Sequence, residues 1–400
     1  MAGLFFSAMV AGAAEPLPAI LDAALTDNPE IMGLEQELRA AGYNLEAARW
    51  GRFPNVFSDG RAVEGNDEQL QIGVEQPLWS GGRISGEINA AEASESVSLL
   101  RLQETEQQIL LQTTEAFFDI LRLERLLAIA VENENEHQRL LEGIQRRVRS
   151  EVSADTDARL AETRLRQAVN ERIQIERGLA TAKRRLESLI NRPAPALIGP
   201  QGVDTGNWTL DQAQAMARAH SPTRARLLSE IDLAAAEVQI SRAQTRPSVV
   251  LGYQSIVGDL TAGQERSNAY LALRAELGSG LSRLAGQNAA IARREAALIA
   301  IQAHERELKL QVQSLWSEID ALDRQLPGAL SALEGAQAIS DSYLRQFQVG
   351  RTSWLDVLNA QREKTLAQNA VADIEVPLAS ARAQLLIIMG EFNQQRLAAN

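Results

Sequence analysis

Three histidines, His137, His220 and His304, are the only imidazoles in this chain of 400 residues, and it has no cysteine at all. A transition-metal site needs several imidazole, thiolate or carboxylate donors converging on one point. Nucleophilic catalysis needs a base set beside its nucleophile. Neither pattern is written here, since the histidines are scattered and no phosphate-cradling glycine loop or nucleophile elbow is present. The three imidazoles read as helix-surface residues. No enzyme, cofactor or metal is expected. The lack of thiols also excludes disulfides and a lipid-bearing N-terminal cysteine.

The residues with something to do lie at a chain reversal. Val349, Gly350, Arg351, Thr352 and Ser353 run between two helical patterns, and Asp356 and Asn359 follow within the next turns. Gly350 can take the left-handed conformation that ends a helix. Thr352 or Ser353 can cap the next helix, with Asp356 near the positive end of its dipole. Beyond it, Ala367, Ala370, Ile374, Leu378, Ala381, Leu385 and Ile388 recur at steps of three and four, the mark of a packing seam. A twin stands 199 residues earlier. There Glu151, Val152, Ser153, Asp155 and Asp157 lead into a seam of Ala168, Ile175, Leu179, Ala182, Leu186 and Leu189. The chain is a duplicated helical hairpin.

Its balance is acidic, 52 Asp and Glu against 40 Lys and Arg, which argues against a nucleic-acid partner. Basic runs such as 145–149 and 183–185 have glutamates among them and read as solvated helix faces. Leu4 to Val10 is a short apolar run before small residues, which reads as the end of a secretory leader cut near Ala13 or Ala14 and lacking its charged start, with a merely frayed apolar end as the other reading. No other stretch approaches the roughly 18 apolar residues of a spanning helix.

The organisation follows from periodicity and punctuation. Residues 1–14 are the truncated signal peptide, 15–53 helices of a first repeat, 54–78 a strand pair and 79–192 a long helical hairpin. A linker at 193–209 leads to helices at 210–246, a second strand pair at 247–277, a second hairpin at 278–391 and a tail at 392–400. Within the strands, Leu70, Ile72, Val74 and Leu78 alternate with polar residues or glycine, a period of two. No proline occurs from Leu78 to Arg192, and the helix from Gly82 to about Ser150 would be roughly 100 Å long. Gly178 and Pro377 occupy equivalent positions and mark a recurring kink.

Four strands cannot close a barrel, and lipid does not tolerate an open sheet edge. Several copies must therefore contribute, and three would supply twelve strands. A soluble sheet capping a coiled-coil bundle explains the alternation equally well, but not the leader or the helix length. Trp79 falls near the sheet's end, at a membrane boundary; Trp79, Trp316 and Trp354 read equally as interface anchors or as plain packing residues.

The chain resembles the TolC family of outer-membrane efflux and export channels over its whole mature length. The duplicated plan, Gln76-Pro-Leu-Trp-Ser-Gly-Gly-Arg83 after the strands, and Val349-Gly350 with Asp356-Val-Leu-Asn-Ala360 carry the likeness. It implies a mainly α protein with β: a homotrimer sharing a twelve-stranded outer-membrane β-barrel that continues into an α-barrel across the periplasm. It also implies a periplasmic adaptor (membrane fusion) protein docking at the hairpin ends, and an inner-membrane transporter. By the same resemblance Val349 to Ser353, with Glu151, Val152, Ser153, Asp155 and Asp157, form the adaptor-docking tip. Asp356 lines the constriction, with Asn359 where members often carry a second acid. Glu151 stands where glycine is usual, which points to a different turn geometry there. The form SWLDVLNAQ is most similar to type I protein secretion members, with an ABC transporter as partner. The alternative is drug or small-molecule efflux with a resistance-nodulation-division (RND) pump, and the remote one a soluble coiled-coil scaffold.

Overall fold

A computed structural model describes residues 14–26, 28–63, 67–200, 203, 208–258, 265–275 and 282–392. The leader up to residue 13 and the tail from 393 lie outside the described residues, as do parts of the linker and of the second strand connection. In chain order the elements are β1 (Glu15–Pro16), α1 (Leu17–Thr26), α2 (Pro29–Trp50), β2 (Asn55–Val63), β3 (Asp67–Trp79), α3 (Arg83–Arg149) and α4 (Asp155–Ile190). There follow β4 (Leu197–Ile198), α5 (Leu210–His220), α6 (Pro222–Ala243), β5 (Ser248–Gly258), β6 (Ser267–Arg274), α7 (Ser282–Gln348) and α8 (Trp354–Ile388).

Local chemistry explains the boundaries. Pro29 and Pro222 each open a helix, where a missing N–H is harmless and φ is already suited. Ser221 caps α6 by accepting the Arg224 N–H at 3.1 Å. α3 and α7 have 67 residues each. α4 runs through Gly178, α7 through Pro327 and α8 through Pro377, so the helices continue past the two positions where a kink or packing irregularity is expected.

The chain divides into two compact units. One comprises Glu30–Thr105 and Ser221–Leu308, and it contains the sheet, an antiparallel meander in the order β2-β3-β5-β6. Its polarity is reversed from that of a soluble sheet. Val56, Leu70, Ile72, Leu251, Tyr253, Val257, Leu271 and Leu273 share one face and are exposed, Val56 at 73% and Leu273 at 71%. The other face carries polar pairs: Gln71 donates to Gln254 at 2.6 Å, and Glu75 accepts from Tyr270 at 2.5 Å and from Arg274. Two glycines let aromatic rings lie flat on that face. A Cβ on Gly73 would sit 2.4 Å from the Phe57 ring, and one on Gly252 2.3 Å from the Tyr270 ring.

The other unit comprises the described parts of Met1–Pro29, Glu106–His220 and Lys309–Asn400. Its core is built from Phe117, Ile120, Ile144, Leu186, Ile190, Val371, Leu385 and Met389, all but fully buried. Glu15 and Arg192 form an ion pair beside the short parallel pairing of β1 with β4. On α4 the expected seam is buried at Ala168, Leu179, Ala182 and Leu186. On α8 it is not a single stripe. Ala370 is exposed, while Val371 and Ala372 are buried, because α8 is packed on more than one side. Within this unit α7 is the converse: Val312 and Ser340 are its buried residues, and Leu310, Leu330 and Ile339 stand exposed.

The glycine–aromatic pairs carry a prediction. Gly252→Val should lower the heat resistance of the folded protein in detergent, because the Tyr270 ring must leave Glu75 to make room for the new side chain. Gly252→Ala should be rescued in large part by adding Tyr270→Ala, which frees the space; no rescue would mean the ring is not the obstacle.

Candidate functional site

The ends of the two hairpins are assembled in one core within the unit that holds Glu106–His220 and Lys309–Asn400. Leu140, Leu141 and Ile144 of α3, Ala161 of α4, and Trp354, Val357 and Leu358 of α8 are buried together, with Phe347 of α7 packed on them. Trp354 is therefore a core residue and not an exposed anchor. Its ring centroid is 5.3 Å from that of Phe347, and the Arg147 guanidinium lies 4.7 Å over the other ring. Trp316 is half-buried on α7.

Both reversals use the same backbone geometry. Arg351 N–H donates to Gln346 O at 2.9 Å and Gly350 N–H to Phe347 O at 3.1 Å. In the first hairpin Val152 N–H donates to Arg147 O and Glu151 N–H to Val148 O, both at 2.9 Å. This is the Schellman closure of a helix C-terminus, and it demands a left-handed residue. Gly350 supplies φ 75° at no steric cost; Glu151 is held at φ 58° despite its Cβ. The expectation of a different geometry at Glu151 is thus corrected: the closure is the same, and the side chain bears the strain. Val152 and Val349 are both exposed apolar residues on these turns.

The two helix starts differ in the same direction. Ser353 caps α8, its hydroxyl accepting the Asp356 N–H at 3.2 Å. The Asp356 carboxylate reaches back to accept from the Ser353 N–H at 3.2 Å, the Ser353 hydroxyl at 2.6 Å and the Thr352 hydroxyl at 3.2 Å. These donors, the Ser353 hydroxyl first, hold the carboxyl below the usual carboxylate range. In α4 the cap position is Ala154, which offers no side-chain oxygen. Asp155 instead pairs with Arg159 at 3.0 Å, and Asp157 lies in the first turn. Ser153 accepts from Arg147 at 3.4 Å.

Asp356, Asn359 and Glu363 line one groove of 450 Å³ with Ala332, Gly335, Ala336, Ile339 and Tyr343. Glu363 is the acidic member of this face that spacing alone did not single out, being two turns beyond Asp356. Trp79 ends β3 half-exposed, in a separate groove with Trp50 and Phe53.

The histidines are not uniformly surface residues. His137 is buried, its Nδ1 has no partner, and burial together with Arg164 pushes its pKa down. The His304 Nε2 lies 3.0 Å from the Ser221 hydroxyl. His220 is exposed and backs onto Gly390, which has φ 80° and where a Cβ would sit 2.7 Å from the imidazole side chain. Among the described residues no group of three or more acidic or imidazole side chains is placed to hold a metal ion. No helix there is long and apolar enough to cross a membrane.

A family model described as outer membrane efflux protein matches the chain over residues 20–192 and 213–391. The outer membrane efflux protein BepC of Brucella suis is 22% identical, over 97% of this chain and 88% of its own length. The pyoverdine export outer membrane protein OpmQ of Pseudomonas aeruginosa is 25% identical, over 96% of this chain and 79% of its own. Among solved structures, CusC superposes with a TM-score of 0.82 at 15% identity, covering 94% of this chain and 92% of CusC. VceC of Vibrio cholerae gives 0.81 at 15% identity, covering 94% and 96%. At these identities the structural likeness shows the fold.

The unequal turns predict unequal responses. Glu151→Gly should stabilise the protein by about 1 kcal/mol by relieving the left-handed Cβ, whereas Ser353→Ala should cost about 1 kcal/mol. Denaturant unfolding in detergent measures both, and a destabilising Glu151→Gly would contradict the strain. Because the folded carboxyl titrates below its unfolded value, the Asp356 contribution is present above about pH 4 and fades as pH falls through the lowered folded value. The stability gap between wild type and Asp356→Asn should therefore close on acidification.

Proposed function

The chain belongs to the outer membrane efflux protein family, and from that membership we propose that it is the outer-membrane exit duct of a tripartite export system, built as a homotrimer. The observation that carries this is the reversed sheet. An apolar face turned outward and a polar face turned inward suit a wall between lipid and an aqueous lumen. The free edges at β2 and β6 suit closure by neighbouring copies, three of which supply twelve strands. The exposed apolar residues of α7 suit a helix covered by another copy. The internal duplication is supported by one family model matching two stretches and by 67-residue helices whose starts are 199 residues apart.

For partners, we take the hairpin ends as the adaptor-docking tip: Val349 to Ser353, with Glu151, Val152, Ser153, Asp155 and Asp157. Asp356 and Asn359 are the constriction residues, with Glu363 on the same groove. Asp356 has a helix-capping role as well, so its charge is anchored before any ion arrives. Trp79 is the membrane-interface residue. For cargo, the Ser353–Gln361 motif favours type I protein secretion through an ABC transporter. A second reading, small-molecule efflux, is favoured by the relatives named for efflux and for pyoverdine export.

Native mass measurement in detergent should give a trimer; a functional monomer would remove the shared-barrel reading. A deletion strain should lose a secreted protein from the medium under the first cargo reading, and gain drug susceptibility under the second. Single-channel recording separates gate from cap. Asp356→Asn should lower cation preference and divalent block, with Asn359→Asp raising both; unchanged selectivity with lowered stability would retire the gate.

A further inference from the structure

Every strand of the sheet carries an arginine at its helix-side end. Arg52 precedes β2, Arg83 follows β3, Arg246 precedes β5 and Arg274 ends β6, with Arg242 one turn before Arg246 on α6. In a chain of net charge −12 this is a local reversal of sign. The far ends of the strands and their connections read the other way in sequence, with Glu64, Asp67, Glu68, Asp259 and Glu265 against Arg61 and Arg266.

The arginines are not all spent inside the fold. Arg274 is turned onto Glu75, and Arg83 pairs with Glu87 while its side chain stays 47% exposed. Arg52, Arg242 and Arg246 are exposed and make no ion pair among the described residues; Arg246 donates to the Gly81 carbonyl at 3.2 Å. They stand where the exposed apolar face ends, beside Leu78, Trp79 and Leu273. At this end a groove of 820 Å³ has Trp50, Phe53 and Trp79 on its walls together with Arg83. Aromatic rings with one wet and one apolar side suit the boundary between acyl chain and headgroup, and guanidinium groups suit phosphate.

We propose that these arginines form a collar that binds the phosphates of an anionic phospholipid leaflet, fixing the depth at which the sheet sits. The proposal rests on the outer-membrane channel reading and adds a specific lipid chemistry to one end of the sheet. Basic side chains near an anionic surface each strengthen attachment, and the effect is screened within a Debye length.

The test floats the purified full-length protein with vesicles of phosphatidylethanolamine alone, or of phosphatidylethanolamine with about a third phosphatidylglycerol. The protein should associate with both and prefer the anionic vesicles, with the preference shrinking at high salt. R52Q/R242Q/R246Q should lose roughly fivefold of that preference for each arginine removed. A control, R177Q/R184Q/R306Q, removes three exposed arginines from elsewhere and should keep it. Equal association of the wild type with both vesicles, or an equal loss in the control, overturns the collar and leaves the channel intact. Failure to float with either vesicle overturns the channel reading together with the collar.

Discussion

An amide at a sheet edge in hydrocarbon has no water to bond, and each such group costs several kcal/mol. This sheet has two edges, β2 and β6, and an outward face of valines, leucines and a tyrosine that water would equally disfavour. The two penalties are relieved together only if lipid covers the face and further strands cover the edges. In the proposed barrel the polar face lines a wet lumen. Glu75 can then keep its charge among Tyr270 and Arg274, and Gln71 can pair with Gln254 across β3 and β5. Gly73 and Gly252 follow too, because rings must lie flat where strands crowd inward.

The hairpin ends obey a different constraint. A long helix must close its last carbonyls, and the next must satisfy its first amides, within a few residues. Both reversals find the same backbone solution. Only the second has side chains chosen for it throughout: glycine at the left-handed position, serine at the cap, aspartate to complete the box. The first keeps the geometry with glutamate and alanine in those places. What holds it there is tertiary packing, the shared core of Leu140, Leu141, Ile144 and Ala161 against Trp354, Val357 and Leu358. Two turns can therefore differ in local chemistry while neighbours enforce a common shape.

That distinction also explains what could be seen in the residues alone. Period two in Leu70, Ile72 and Val74, the proline-free run and the Gly350–Asp356 spacing are local signals, and local physics turns them into strands, helices and a capped turn. The polar partners of the sheet, Glu75 with Arg274, are 199 residues apart, so no window contains them. Burial of Trp354 and His137 depends on which faces of α3 and α8 meet, as does the displacement of the α8 seam from Ala370 to Val371 and Ala372. The left-handed Glu151 was hidden because its residue type argues against its conformation. Glu363 was missed because the second acid was sought one turn from Asp356, whereas the groove extends two.

The α8 interface also contains something a purely apolar seam would lack. Thr365 donates to Asn133 at 3.1 Å, Ser340 to Gln361 at 3.3 Å and Lys364 to Glu132 at 2.9 Å, and Ser340, Gln361, Lys364, Thr365 and Asn133 are all buried. Leucines can slide past leucines with modest loss, because dispersion has no direction. Hydrogen bonds cannot. Slipping α8 by one turn against α3 would take the Thr365 partner from the buried Asn133 side chain, while Thr365 keeps its bond to the Gln361 carbonyl of its own helix, at about 1–3 kcal/mol for the buried group left unpaired. The polar layer adds little net stability over well-packed hydrocarbon. Its effect is to make one register much better than its neighbours, and in that register Ile339 and Tyr343 of α7 line a common groove with Asp356 and Asn359 of α8.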